Sequence, residues 1–383
     1  MNEDRLYFDH NATTPVRPEV CAVVQRTLEE AFGNPSSLHT PGQVARALVE
    51  EARAQVAAGL GCAPEEVFFT SGGTEADNWA LLGCAALARP GRIVCSAIEH
   101  HAVLHTARHL ETRGFEVCVV PPDPRGWVDP GAVAAALNDD TVLVSVMHAN
   151  NETGVLQPVA QIGRLARDRG IPFHVDAVQS FGKVPVKVDE MQADLVAVSA
   201  HKLNGPKGVG ALFVRRGVDL GAWTHGGGHE GGRRAGTENA PGIAGFGRAV
   251  QLALAEQSQD AARLAALRDH LQAGLLASVE GVSINGAGAA RLPNTLNVCI
   301  AGVQAEALLL GLDLEGVAVS SGSACSSGGA EPSHVLLAMG VDRRLAGGSL
   351  RFSLGWGNTL HQVERLIEMM PALVGRLREL ASP

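Results

Sequence analysis

Apolar positions along this chain follow two rhythms. In the first half, short apolar runs at 67–69, 92–97, 116–120, 141–147, 172–175, 195–199 and 211–214 predict strands. Between them, 41–59, 74–89, 100–113 and 158–169 show helical spacing. In 41–59, Val44, Leu48, Ala52 and Val56 recur at i, i+4 and are expected to form the buried face. Repeated strand–helix–strand units predict an α/β fold with a mostly parallel sheet covered on both faces. The valines of 141–147 and 195–199 suit strands buried on both sides.

The pattern changes after about residue 240. A long Ala/Leu/Gln/Arg-rich stretch at 241–279 predicts one helix, followed by a strand at 295–300 and helices at 304–310 and 332–339. A terminal helix is expected from Thr359, with Gln362 completing a capping box and Val363, Leu366, Ile367 and Met370 at helical spacing. These elements predict a second, smaller α+β domain at about 257–383.

Composition narrows the function classes. The 383 residues are 46% hydrophobic and carry a formal charge of −9, which argues against a general affinity for nucleic acid or anionic membrane. No apolar run approaches the ~18 residues of a transmembrane helix. The start, Met-Asn-Glu-Asp-Arg, is polar, so a soluble, cytoplasmic protein is expected. Seven cysteines, an odd number without Cys-x-x-Cys spacing, argue against a disulfide framework. Cys84, Cys95, Cys118 and Cys299 sit in apolar stretches and are expected to be buried and inert. Cys325, in Ser321-Gly322-Ser323-Ala324-Cys325-Ser326-Ser327-Gly328-Gly329, is expected to be exposed and reactive.

Four segments could carry chemistry. Ser199-Ala200-His201-Lys202 follows a buried strand, where ligand sites of open sheets gather; the amine of Lys202 could form a Schiff base. Read alone, it is better taken as a solvated lysine. Asp176, at another strand end, could pair with a pyridinium nitrogen, or could simply cap a helix. Thr70-Ser71-Gly72-Gly73-Thr74 between strand and helix resembles a phosphate cup, without the ending of a P-loop. His101, His105 and His109 share a helix face that could bind metal, but no carboxylate has the spacing of a zinc hydrolase, and no metal is expected. His100 could act alone as a lid or proton carrier. The Gly-rich segment 226–236, with Arg233 and Arg234, could approach an anion or be a plain surface turn. Together, lysine, aspartate, phosphate cup and histidine are the parts of a pyridoxal-phosphate site.

In these segments the chain resembles the cysteine desulfurases of the class V aminotransferase family. The resemblance runs through Phe8-Asp9-His10-Asn11-Ala12-Thr13-Thr14-Pro15, Gly33-Asn34-Pro35-Ser36-Ser37, the 70–78 segment, Glu99-His100 and Asn150-Asn151-Glu152. It continues through His174-Val175-Asp176 with Gln179, Ser199 with His201-Lys202, Arg233-Arg234 with Gly236-Thr237-Glu238-Asn239, the Cys325 segment and Arg351-Phe352-Ser353. It implies the type I pyridoxal-phosphate fold: a large domain at 16–256 around a seven-stranded sheet, and a small domain from 1–15 and 257–383. It implies that Lys202 holds pyridoxal 5′-phosphate, Asp176 pairs with its ring nitrogen and Gln179 with its phenolic oxygen. His100 would stack on the ring and move protons. Gly73, Thr74, Ser199 and His201 would bind the phosphate, with Thr237 arriving from the second subunit of a homodimer. Asn151, beside the cofactor, and Arg351 would hold the substrate carboxylate. The implied reaction takes sulfur from L-cysteine onto Cys325 as a persulfide, releases alanine, and hands the sulfur to an acceptor protein such as an iron–sulfur scaffold. The length of the Cys325 segment resembles the long-loop group. An aminotransferase, or a lyase for selenocysteine or cysteine sulfinate, is the alternative on the same scaffold.

Overall fold

The computed structural model describes residues 5–321 and 331–381. Its strands are β1 (Leu6–Tyr7), β2 (Val67–Thr70), β3 (Arg92–Ser96), β4 (Glu116–Val120), β5 (Thr141–Ser145), β6 (Phe173–Asp176), β7 (Leu195–Ser199), β8 (Gly210–Val214), β9 (Val282–Asn285), β10 (Thr295–Ile300), β11 (Val317–Ala318) and β12 (Ser349–Ser353). Seven of them form one sheet in the order β2-β8-β7-β6-β5-β3-β4. Only β8 runs antiparallel to its neighbours. Helices are needed to return each parallel strand to the same end of the sheet, so β6 and β7 deliver Asp176 and Ser199 to one edge. All five residues of β7 and of β8 are buried, as the valine-rich pattern requires.

A second, three-stranded antiparallel sheet has the order β12-β10-β9, and β1 pairs with β11 alongside it. The 39-residue helix Ala240–Ser278 serves both sheets. Its Ile243, Phe246 and Val250 belong to the apolar cluster against the large sheet. Its Leu264, Leu267, Leu271 and Leu275 belong to a separate cluster with Leu6, Phe8, Val298 and Phe352. The terminal helix Leu360–Ala381 packs into that second cluster through Val363, Leu366 and Met370. Its capping box forms as expected: Gln362 N–H donates to Thr359 Oγ1 and Thr359 N–H to Gln362 Oε1, both at 3.3 Å.

Two expectations need correction. The helix Thr40–Leu60 exists, but its buried seam is Ala45, Val49, Ala52 and Val56; Val44 is 45% exposed. The seam is set by the long helix, which approaches so closely that a Cβ on Gly247 would lie 2.7 Å from the Ala52 Cα. Val44 lies one position away from the face that meets this contact and is left outside. Cys84, Cys95 and Cys299 are buried, but Cys118 on β4, the edge strand, is only half-buried. No helix among the described residues is long and apolar enough to cross a membrane.

Candidate active site

The strand ends of the large sheet open onto a cavity of about 1340 Å³, lined among others by Gly73, Thr74, His100, Asn151, Asp176, Gln179, Ser199, His201, Lys202 and Arg351. Lys202 closes a single 3₁₀ turn, Ala200–Lys202, that follows β7 directly. Its Nζ donates to the Asn11 carbonyl at 2.6 Å and the Ala12 carbonyl at 2.8 Å, both on the N-terminal arm. Asp176 ends β6, and Val178 N–H donates to its Oδ1 at 2.9 Å. Burial raises its carboxyl to about 6, opposed by that N–H and by Lys202. A cationic ring nitrogen beside it would keep the carboxylate ionised.

The helix Gly73–Leu87 begins at the cavity, and the N–H groups of its first turn have no partner inside the helix. Glu75 holds the turn from below, accepting from Ser71 N–H at 2.8 Å. A side chain at position 73 would collide with Val178, since its Cβ would sit 2.6 Å from Cγ2. The Ser199 hydroxyl is buried with no hydrogen-bond partner among the described residues. An orphaned hydroxyl beside unpaired N–H groups and a positive helix end fits a phosphate. These features fit pyridoxal phosphate on chemistry alone.

His100 caps the helix His101–Glu111: Ala102 N–H donates to its Nδ1 at 3.1 Å, which leaves Nε2 as the N–H of the neutral ring. Burial first, then the charge of Lys202, lowers it to about 4. His201 Nδ1 lies 3.2 Å from Thr13 Oγ1, and burial lowers it too, to about 4. Arg351 on β12 reaches across from the second sheet. Its Nη2 donates to Asp9 Oδ1 at 2.8 Å and Nη1 to the Asn151 carbonyl at 3.1 Å, while its buried Nε has no partner among the described residues.

Three sequence candidates lie elsewhere. Thr237 is outside this cavity and lines a neighbouring one with Thr70, Ser71 and Gly208. Arg233 and Arg234 of the glycine-rich segment are turned to the protein itself: Arg234 holds Glu75 at 2.9 Å and Arg233 lies over the Phe68 ring. His101 stacks on His105, and His334 lies against it, each with ring centres 4.7 Å apart. Among the described residues no group of His, Cys, Asp or Glu could hold a metal. Cys325 lies outside the described residues. The chain on either side of its segment rests at the site: Ser320 pairs with Arg351 through two backbone hydrogen bonds, and His334 Nε2 lies 3.0 Å from the Glu99 carbonyl.

The structure adds residues to which the sequence pattern assigned no role. Asp77 lines the cavity, and burial and Asp176 raise its carboxyl well above the usual range. Its Oδ1 is 3.4 Å from His174 Nε2, and His174 Nδ1 is 2.9 Å from Ser145 Oγ. Alternation along β6 puts His174 and Asp176 on one face, a signal available in the sequence. Asn11, buried, accepts from Lys183 and Asn294 through Oδ1 and donates from Nδ2 to Thr295 Oγ1.

Comparison with known proteins gives a consistent result. The aminotransferase class V family model matches residues 6–366. A curated relative, the cysteine desulfurase IscS of Dictyoglomus turgidum, is 46% identical over 378 residues, 98% of this chain and 96% of its own. A solved NifS-like protein is 40% identical with a TM-score of 0.92, covering 97% of this chain and all (100%) of that one. The solved structure of SspA in complex with cysteine is 34% identical with a TM-score of 0.80, covering 91% of this chain and 98% of that one.

Proposed function

Because this chain belongs to the aminotransferase class V family and is a pyridoxal-phosphate-dependent cysteine desulfurase, we propose that Lys202, Asp176, His100, Arg351 and Cys325 divide its reaction among them. The cofactor, when bound, supplies the electron sink that weakens the bond between the β-carbon of cysteine and its sulfur. The observation that carries the assignment is the convergence of the Lys202 amine, the Asp176 carboxyl, the neutral His100 ring and the orphaned Ser199 hydroxyl on one cavity.

Lys202 holds the cofactor aldehyde. The Lys202 amine would also serve as the base for the substrate α-proton. Asp176 keeps the ring nitrogen protonated, and Gln179 donates to the phenolic oxygen. Gly73, Thr74, Ser199 and His201 receive the phosphate. His100 lines the cavity where the ring would sit and, being neutral, would offer Nε2–H as a proton donor. Asn151 and the unpartnered Nε of Arg351 face the substrate carboxylate. The Cys325 thiolate takes the sulfur as a persulfide and passes it on, here to an acceptor protein of the iron–sulfur scaffold type. We place the protein in the cytoplasm and divide it into a large domain at 16–256 and a small one from 1–15 and 257–383. The position of Thr237 outside the cavity of its own chain supports a homodimer in which the partner subunit's Thr237 completes the phosphate cup.

The test is absorbance with peptide mapping. Borohydride reduction should bleach the visible chromophore and leave the reduced cofactor bonded to Lys202. Cys325→Ser should keep that chromophore and lose sulfide release from cysteine. Reduced cofactor on another lysine, or full activity in Cys325→Ser, would overturn the assignment. Sizing in solution tests the dimer, and a fully active monomer would refute the shared cup.

A further inference from the structure

Lys183 has no role in the reaction as assigned above, yet it stands at the back of the site. It follows Gln179 by four residues, and its Nζ donates to Gln179 Oε1 at 3.0 Å and to Asn11 Oδ1 at 3.2 Å. Both acceptors are uncharged amide oxygens. The charges that bear on it, those of Lys202 and Arg351, are both positive, and burial together with them pushes its amine well below the usual lysine range. A lysine in such a place raises the cost of the fold, which calls for a compensating use.

Its geometry supplies one. The oxygen and nitrogen of a carboxamide point in opposite senses, and the Lys183 amine, protonated or neutral, already directs its N–H groups at the Gln179 and Asn11 oxygens. With Lys183 on Oε1, a flipped Gln179 would set N–H against N–H. Nε2 is therefore turned the other way, where it donates to the Asn11 carbonyl at 2.9 Å. That same carbonyl takes the Lys202 amine at 2.6 Å. The Gln179 donor and the cofactor-holding amine thus lie on one side, around one oxygen.

We infer that Lys183 is a positioning residue, locking the Gln179 carboxamide with its N–H donors toward the phenolic oxygen of the cofactor. The inference rests on the proposed role of Gln179. A donor on that oxygen favours the state with more negative charge on it. That is the state left when the chromophore loses its proton, so the donor holds the midpoint of the visible titration low. Removing the lock raises the midpoint.

The experiment is a pH titration of the visible band in the holoenzyme. Lys183→Met should raise the midpoint by about one pH unit, the order expected for one hydrogen bond to a charged oxygen. In a Gln179→Leu background the same substitution should move it by less than half as much. Lys183→Arg keeps the donors, and position 183 also borders a neighbouring cavity into which the longer side chain can extend; it should titrate like the native protein. This variant also guards against a Lys183→Met protein that fails to fold: a Lys183→Arg protein that folds but shows the raised midpoint overturns the inference. So does an unchanged midpoint in Lys183→Met, or an equal rise in both backgrounds. A native protein with no visible band at all would sink the cofactor reading itself, and this inference with it.

Discussion

Glu99 is the most exacting test of the electrostatics around this site. It precedes His100, is 0% exposed, and uses one carboxyl oxygen for two contacts: Ser96 Oγ donates to Oε1 at 2.5 Å and Met147 N–H at 2.8 Å. Oε2 is buried with no partner among the described residues. Burial is the largest influence, and with Asp176 it outweighs those two hydrogen bonds and raises the carboxyl from 4.5 to about 8. The folded protein therefore holds Glu99 protonated across a range in which the unfolded chain ionises it. Stability contributed by the neutral group is full below pH 4.5, falls as pH rises, and stops falling above about 8. Neutral pH lies two and a half units above the unfolded value, and at ~1.4 kcal/mol per unit the cost there is about 3 kcal/mol. Glu99→Gln mimics the protonated form and escapes that cost. Guanidinium unfolding of both holoenzymes, followed by tryptophan fluorescence at several pH values, measures the difference. The variant should gain on the native protein by about 1.4 kcal/mol per pH unit between pH 5 and 8. A difference that stays flat with pH, or a variant less stable at pH 8, would refute the reasoning.

Two further substitutions probe the framework. Arg53 holds Glu230 through two hydrogen bonds of 2.8 and 3.0 Å, and the Glu230 side chain is only 2% exposed. Arg53→Met should destabilise by roughly 3–5 kcal/mol by leaving a buried carboxylate unpaired, with Glu230→Gln recovering part of the loss in a thermal melt. Gly247→Ala should destabilise by about 1–3 kcal/mol, because its Cβ would meet the Ala52 Cα at 2.7 Å and backbone cannot step aside; a melting temperature equal to the native one would show that the helices can separate without strain.

The central strands of the large sheet were readable because both of their faces are buried, while β4 at the edge was readable from its apolar run alone. A run such as Leu195-Val196-Ala197-Val198 has no polar position to hide it, and all seven expected runs lie in that sheet. The residues lining the cavity were readable for a related reason. Parallel strands end at the same edge, so a lysine, an aspartate and a glycine–threonine turn placed at three strand ends must converge. Helix faces were less legible. In Thr40–Leu60, Ala45 and Val44 are adjacent apolar residues, and which of them faces inward is set by where the long helix docks, a contact made through Gly247 and Ala52 that no local period encodes.

The polar junction behind the site was not legible at all, and its physics explains why. Asn11 is tied to Lys183 and Asn294, partners 172 and 283 positions away. No local period encodes such a pairing. An isolated Asn or Lys in a loop reads as solvated, and Glu99 beside a histidine reads as a surface carboxylate. What converts each into a buried group is satisfaction by backbone carbonyls and amides that only the folded chain brings near. Apolar patterning therefore announces where a site is held, whereas the charges that tune it are specified by contacts across the fold. At Lys183 and Glu99 the two kinds of information separate most widely: both would be assigned to water from the sequence, and both are desolvated against the reacting centre.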